Sequence, residues 1–184
     1  MHRLIVVVLL TSTVLLSVLI ATNARDGQPL PPRQQTMKEM AAAAKTVAGM
    51  FSGTLAYDRD AFRQAAGVFV NHSGPRLLAL FDGNVPANSS ADDEKIAGQR
   101  QAFDEIAMRL GQLAAKFDEK AGDAGAAITP DMRMGSGIPM GGGSLLSAKP
   151  LASETDLTTI PAEHLFHMML ETCTDCHAKF RRRR

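Results

Sequence analysis

Apolar residues recur at steps of three and four along the first part of the chain, which is the spacing of a helix with one buried face. The first such stretch runs from Arg33 to Leu55 and follows three prolines, which are tolerated before a helix but not inside one. Its apolar stripe consists of Met37, Met40, Ala41, Ala44, Ala48 and Phe51. This pattern predicts a first amphipathic helix.

A second helix is predicted after Asp58, whose carboxylate can accept a hydrogen bond from the first turn of a helix. Its apolar positions are Phe62, Ala65, Ala66 and Phe69. The pair Gly74–Pro75 ends this helix, because glycine and proline together favour a turn. A short helical continuation over residues 77–81 is expected to follow.

A third helix is predicted from Ser90, which has Asp93 three residues later in the spacing of a capping box. Its apolar positions are Ile96, Phe103, Ile106, Ala107, Leu110, Leu113 and Phe117. The stripe ends near Gly122, so this helix is expected to be long.

The composition changes between residues 122 and 160, where prolines interrupt the chain and three consecutive glycines stand at 141–143. Such a stretch does not hold regular structure, and we expect a long surface loop that is not part of the helical core. Pro161 then opens a fourth helix, because proline is favoured at the first helical position. Its apolar positions are Leu165, Met168, Met169 and Leu170.

Four amphipathic helices, of which the first three have short connections, predict an all-α fold, namely an antiparallel four-helix bundle. No stretch alternates apolar and polar residues as an exposed strand would. The core of such a bundle is a usual place for a cofactor site.

The N-terminus carries a separate signal. The basic pair His2–Arg3 precedes the apolar run Leu4–Ala21, and small residues at 22–24 would suit cleavage. Residues 1–24 are therefore a signal peptide or, if retained, a single membrane anchor, and residues 25–184 form the folded domain. Both alternatives place the domain in an oxidising compartment, and we expect it in the periplasm.

Charge and composition argue against two other classes of function. The chain has 20 Lys and Arg against 19 Asp and Glu, a net charge of +1, so nothing points to a nucleic acid partner. It shows no Ser/His/Asp set, no paired carboxylates and no glycine-rich phosphate loop. We therefore expect that the protein is not an enzyme.

The motif Cys173-Thr174-Asp175-Cys176-His177 carries the chemistry of the chain. The pattern C-x-x-C-H is the attachment signature of a c-type haem. On a helix the two thiols and the imidazole share one face, where Cys173 and Cys176 can form thioethers to the haem. His177 would then coordinate the iron as the proximal ligand.

Three other interpretations of the cysteine pair are weaker. Zinc would require further thiols or imidazoles at ligand spacing, and the chain has no third cysteine. A thioredoxin-like dithiol would follow a strand, whereas this pair lies in a helical stretch. A disulfide that closes so short a loop would constrain the unfolded chain little and would leave His177 unexplained.

With this motif in the last of four helices, the chain resembles the class II cytochromes c, the cytochrome c′ family. Residues 33–40, RQQTMKEM, are similar to the family's R-Q-x-x-M/L-x-x-M segment. The resemblance implies that Arg33 lies beside the haem and that Met37 occupies the distal position. Arg33 could then pair with a haem propionate; the alternative is a solvated arginine at a helix start.

The last helix is similar to the family as well. Residues 176–181, CHAKFR, match its C-H-x-x-[FY]-[RK] ending, which implies that Arg181 lies close to the proximal His177. The resemblance covers residues 33–122 and 161–184, whereas the connection between them is longer than the family usually has. It implies one covalently attached haem c.

The resemblance implies two alternative functions. If Met37 coordinates iron opposite His177, the haem is six-coordinate and low-spin and suits one-electron transfer. If Met37 only packs over the iron, the haem is five-coordinate and high-spin and binds small gases such as nitric oxide. Methionine is a competent iron ligand, which makes electron transfer the leading hypothesis.

Several other residues allow more than one interpretation. Lys179 and the run Arg181–Arg184 could dock an acidic redox partner or could simply be a solvated helix end. His72, His164 and His167 are each more typical of a surface or hydrogen-bonded histidine than of a ligand. Small residues on the first and third helices would allow a homodimer.

Overall fold

The computed structural model describes residues 30–83, 89–135 and 157–182. The chain divides into residues 1–31 and residues 32–184, and the described helices belong to the second unit. The predicted signal or anchor at residues 1–24 lies outside the described residues and stays a prediction.

Six α-helices form the described part of the chain. They are α1 (Pro32–Ser52), α2 (Arg59–Asn71), α3 (Pro75–Ala79), α4 (Asp93–Gly98), α5 (Arg100–Gly122) and α6 (Ala162–Phe180). The four long helices α1, α2, α5 and α6 form the bundle, in which α5 packs against both α2 and α6 while α1 packs against α2. No described segment forms a strand. The prediction of an all-α four-helix bundle is confirmed.

Aromatic side chains fill the centre of the bundle. Phe62 of α2, Phe117 of α5 and Phe166 of α6 are fully buried. The rings of Phe62 and Phe117 lie 5.4 Å apart between centroids, and those of Phe117 and Phe166 lie 6.0 Å apart. Large buried rings in contact contribute strongly to core stability, so α6 is held firmly against the other helices.

The predicted start and end of α2 are confirmed. The carboxylate of Asp58 accepts a hydrogen bond from the amide of Ala61 at 2.7 Å. After α2, Gly74 has a φ of +58°, a conformation that glycine adopts without strain. Its amide donates to the carbonyl of Ala107 at 3.1 Å, and a Cβ added at Gly111 would lie only 2.9 Å from the Gly74 Cα. This close approach places α3 against α5.

The third helix begins differently from the prediction. The cap is Asp92, whose carboxylate accepts from the amide of Lys95 at 3.2 Å, and the helix breaks at Gln99 into α4 and α5. Ser90 is not the cap, because it lies two residues before Asp92, and its carbonyl instead accepts a hydrogen bond from the Arg182 amide at 2.9 Å. The backbone at Ser90 thus contacts the residues that follow α6.

The two ends of the 122–160 connection pack on the bundle. Met132 and Ile160 are 6% and 8% exposed and belong to the main hydrophobic core. The expectation that the whole connection stays outside the helical core is therefore wrong for its ends, because these two apolar side chains are buried there. Residues 136–156 lie outside the described residues.

A polar cluster holds the first of these ends against α6. The buried carboxylate of Glu163 accepts from the amide of Met134 at 2.8 Å and lies 3.3 Å from the Arg133 guanidinium. Arg133 also donates to the carbonyl of Phe51 at the end of α1. Residues 130–134 therefore join α1 to the start of α6.

We expect Met132→Ala to lower the free energy of unfolding by about 2–4 kcal/mol, because truncation of a buried methionine leaves a cavity. Urea unfolding of the haem-loaded protein measures this loss. Met108→Ala is the control: Met108 is 42% exposed, and its truncation should change stability by about 0.5 kcal/mol or less. Equal effects of the two variants would show that Met132 is not a core residue.

Candidate haem site

The C-x-x-C-H motif lies in the last two turns of α6 and spans two hydrophobic clusters. Cys173 packs against the main core of the bundle. Cys176 packs against a second, smaller cluster, and His177 is exposed at the helix surface. The two thiols are free and form no disulfide.

The second cluster consists of aromatic and aliphatic side chains near the end of α6. Its buried members are Ile96, Phe103 and Phe180. The Phe103 ring makes edge contacts with Phe180 at 5.3 Å and with Phe81 at 4.8 Å between centroids. These packed rings form a well-defined apolar wall beside Cys176.

A cavity of about 340 Å³ opens against this wall. Its lining comprises Arg33, Gln34, Met37, Leu77, Phe81, Ser89, Ser90, Ala91, Ile96, Phe103, Cys176, His177, Phe180 and Arg181. The volume lies in the range of small-molecule sites, which are mostly apolar with a few polar groups that fix orientation. The sequence-predicted residues Arg33, Met37, Cys176, His177 and Arg181 all border the cavity. Cys173 is not part of the lining and packs against the main core.

A short backbone pairing joins two parts of the cavity lining. Ala91 and Arg181 form an isolated antiparallel bridge. The Asp92 amide donates to the Phe180 carbonyl at 2.8 Å, and the Arg182 amide donates to the Ser90 carbonyl at 2.9 Å. The end of α6 is thereby tied to the segment that leads into α4.

Arg33 is held by protein groups on three sides. Its Nε donates to the Leu80 carbonyl at 2.6 Å, and its Nη1 donates to Asp93 Oδ1 at 3.0 Å. The guanidinium lies 4.2 Å from the centroid of the Phe81 ring, a cation–π contact. Arg33 thus has partners within the protein, and its pairing with a haem propionate stays a prediction.

The two methionines of the first-helix stripe occupy different surroundings. Met37 is half-buried and lines the cavity. Met40 is buried in the main core and does not border the cavity. Of these two thioethers, Met37 is therefore the one that can reach a cavity ligand.

The other candidate histidines lie away from the cavity. His72 pairs with Glu39, with 2.8 Å between Nε2 and Oε2. His167 is exposed and His164 is half-buried, and neither borders the cavity. Among the histidines in the described ranges, His177 is the one placed to ligate a cavity cofactor.

Comparison with known proteins assigns the family. The sequence profile described as cytochrome C′ matches residues 28–134, which is more than half of the 184-residue chain. The chain belongs to the cytochrome c′ family. The match ends before the haem motif, which follows the long connection.

A solved structure supports the same fold. The chain is similar to a cytochrome c prime from Shewanella frigidimarina, with a TM-score of 0.54 at 14% sequence identity. The alignment covers 82% of this chain and 91% of that chain, so the likeness extends over the bundle. No curated protein sequence matches the chain.

The cofactor of this cytochrome c′ is a covalently attached haem c. The protonation states of the two cysteines that would bind it fit that group. Burial raises the pKa of Cys173 to about 11, with a smaller contribution from Cys176, and burial also raises the pKa of Cys176. Both thiols are therefore protonated at neutral pH and lack the thiolate character of a redox dithiol. Each thiol can add across a haem vinyl group to form a thioether.

His177 is also in the form that a metal requires. Although the residue as a whole is exposed, partial desolvation of the imidazole where it borders the cavity lowers its pKa, and the positive charge of Arg181 lowers that pKa further. The imidazole is therefore neutral at physiological pH and has a nitrogen lone pair available for iron.

Two further features are absent from residues 30–83, 89–135 and 157–182. No group of three or more His, Cys, Asp or Glu side chains in these ranges is arranged to hold a metal ion. No helix in the same ranges combines the length and hydrophobicity of a membrane span.

Sequence reasoning did not assign the wall residues or the partner of Arg33 to the site. Phe103 was part of a predicted helical stripe, but periodicity marks a residue as buried and does not show that a cavity lies beside it. Asp93 was assigned only to a capping box. Its contact with Arg33 joins residues 60 positions apart and has no local signal.

Proposed function

We propose that this cytochrome c′ transfers single electrons and is not an enzyme, with His177 and Met37 as the axial ligands of the haem iron. The observation that carries the proposal is the position of Met37 in the lining of the same cavity as Cys176 and His177. Haem iron held by Met and His exchanges electrons and has a raised reduction potential. With both axial positions filled by the protein, no position remains for an external ligand.

A second function is supported by a different contact of Met37. Its side chain also packs against the main hydrophobic core, so it could stay in place without a bond to iron. The site would then be five-coordinate and would bind a small gas such as nitric oxide. The thioether sulfur at this position is the reason to prefer electron transfer.

We also propose that electron transfer takes place in the periplasm, because the N-terminal pattern is that of an exported protein. Arg181 and Arg182 are both exposed at the end of α6, and Arg181 also borders the cavity. Positive charge beside the cofactor would attract an acidic redox partner. A homodimer stays a prediction of the sequence.

Carbon monoxide separates the two functions, because it binds ferrous haem only where an axial position is open. We expect the reduced protein to keep its absorption spectrum unchanged when the gas is added at a few equivalents. The measurement is a titration followed in the Soret region at neutral pH. Stoichiometric uptake would contradict the six-coordinate site and favour the gas-binding function.

A further inference from the structure

The ion pair between Arg33 and Asp93 lies at the edge of the cavity. The atoms Nη1 and Oδ1 are 3.0 Å apart, and the two side chains are 13% and 24% exposed. Arg33 itself lines the cavity, and Asp93 lies between two lining residues of its own segment, Ala91 and Ile96. Because water is largely excluded from this pair, its charges act on the cavity with less screening than surface charges do.

The second oxygen of Asp93 has an unusual environment. Oδ2 is buried and has no hydrogen-bond partner among the described residues. Buried polar atoms usually have a partner, so each exception calls for an explanation. No donor among the described residues binds this oxygen. The counter-charge of the Asp93 carboxylate is therefore the Arg33 guanidinium, which binds its other oxygen.

We propose that Asp93 neutralises Arg33 beside the cavity and thereby lowers the reduction potential of the haem. Reduction adds one negative charge to the site, so an uncompensated Arg33 cation would stabilise the reduced form. The carboxylate of Asp93 offsets that positive charge through its ion pair with Arg33 and has no direct role at the iron. The proposal rests on the proposed function only in requiring a redox-active haem in the cavity.

Three variants of the haem-loaded protein test this proposal by redox titration. Asp93→Asn should raise the equilibrium constant for reduction by a factor of about 3 or more, and Arg33→Gln should lower it by a similar factor. The double variant should return to within about twofold of the wild type, because it again presents no net charge. Absorption spectra of each variant report whether axial ligation is intact.

Two further variants serve as controls. Glu94→Gln removes an exposed charge from the same helix, and solvent screening should keep its effect below about twofold. Asp93→Glu keeps the charge, so its reduction constant should stay closer to the wild type than that of Asp93→Asn. Circular dichroism of every variant checks that the bundle is folded.

The proposal requires that the two single variants shift the reduction constant in opposite directions. Shifts of Asp93→Asn and Arg33→Gln in the same direction, or no shift in Asp93→Asn, would overturn the proposal and leave the pair a purely structural contact. This outcome is distinct from failure of the proposed axial ligation. A high-spin wild-type spectrum would overturn ligation by Met37, while the opposite charge effects would remain measurable.

Discussion

Met37→Leu is expected to abolish the weak thioether-to-iron charge-transfer band near the red edge of the visible spectrum of the oxidised protein. Leucine keeps the apolar volume nearly constant, so the cost in stability should be below about 1.5 kcal/mol. It has no sulfur lone pair, and the iron loses its sixth ligand. The reduction potential should fall, and the reduced protein should change from no uptake of carbon monoxide to stoichiometric uptake.

Met40→Leu is the matched control for this substitution. Met40 is three residues further along α1, but its side chain is buried in the core and does not border the cavity. We expect its variant to keep the wild-type absorption spectrum and to stay closed to carbon monoxide. If Met37→Leu behaved like Met40→Leu, ligation by Met37 would be excluded.

The second large effect concerns the covalent attachment. Acidified acetone should leave all of the haem on the wild-type polypeptide, because thioether bonds survive denaturation. The double variant Cys173→Ser/Cys176→Ser should release all of its haem into the organic phase. Absorption of the two phases after extraction measures the distribution.

Each single cysteine variant provides the control for this extraction. One remaining thioether is enough to hold the haem, so any haem that a single variant incorporates should stay with the protein. Release of haem from the wild type would contradict covalent attachment at Cys173 and Cys176.

The parts of this fold that the sequence predicts well depend on local signals. Asp58 caps α2 through an amide three residues away, and Gly74–Pro75 ends the same segment through its backbone conformation. The haem motif is equally local, because three residues within five positions determine its chemistry. Such features depend little on the rest of the chain.

Contacts between distant residues could not be predicted in the same way. Ser90 pairs with Arg182 and does not cap α4, and this pairing depends on where α6 ends in space. The ion pair of Arg33 with Asp93 likewise requires α1 and α4 to meet. Neither contact changes the periodicity from which helices are predicted.

The connection after α5 shows a different difficulty. Its glycines and prolines predict a loop, and that prediction leaves open where single apolar residues such as Met132 and Ile160 are buried. A loop can pack on a core through a few side chains without any periodic pattern. Composition therefore describes the backbone of this segment better than its contacts.

The most direct test of axial ligation by His177 and Met37 is the absorption spectrum of the oxidised wild-type protein from the visible into the near infrared. Iron ligated by His177 and Met37 should give a low-spin spectrum with the thioether-to-iron charge-transfer band. A high-spin spectrum without that band would contradict ligation by Met37 and would identify the site as an open, gas-binding one.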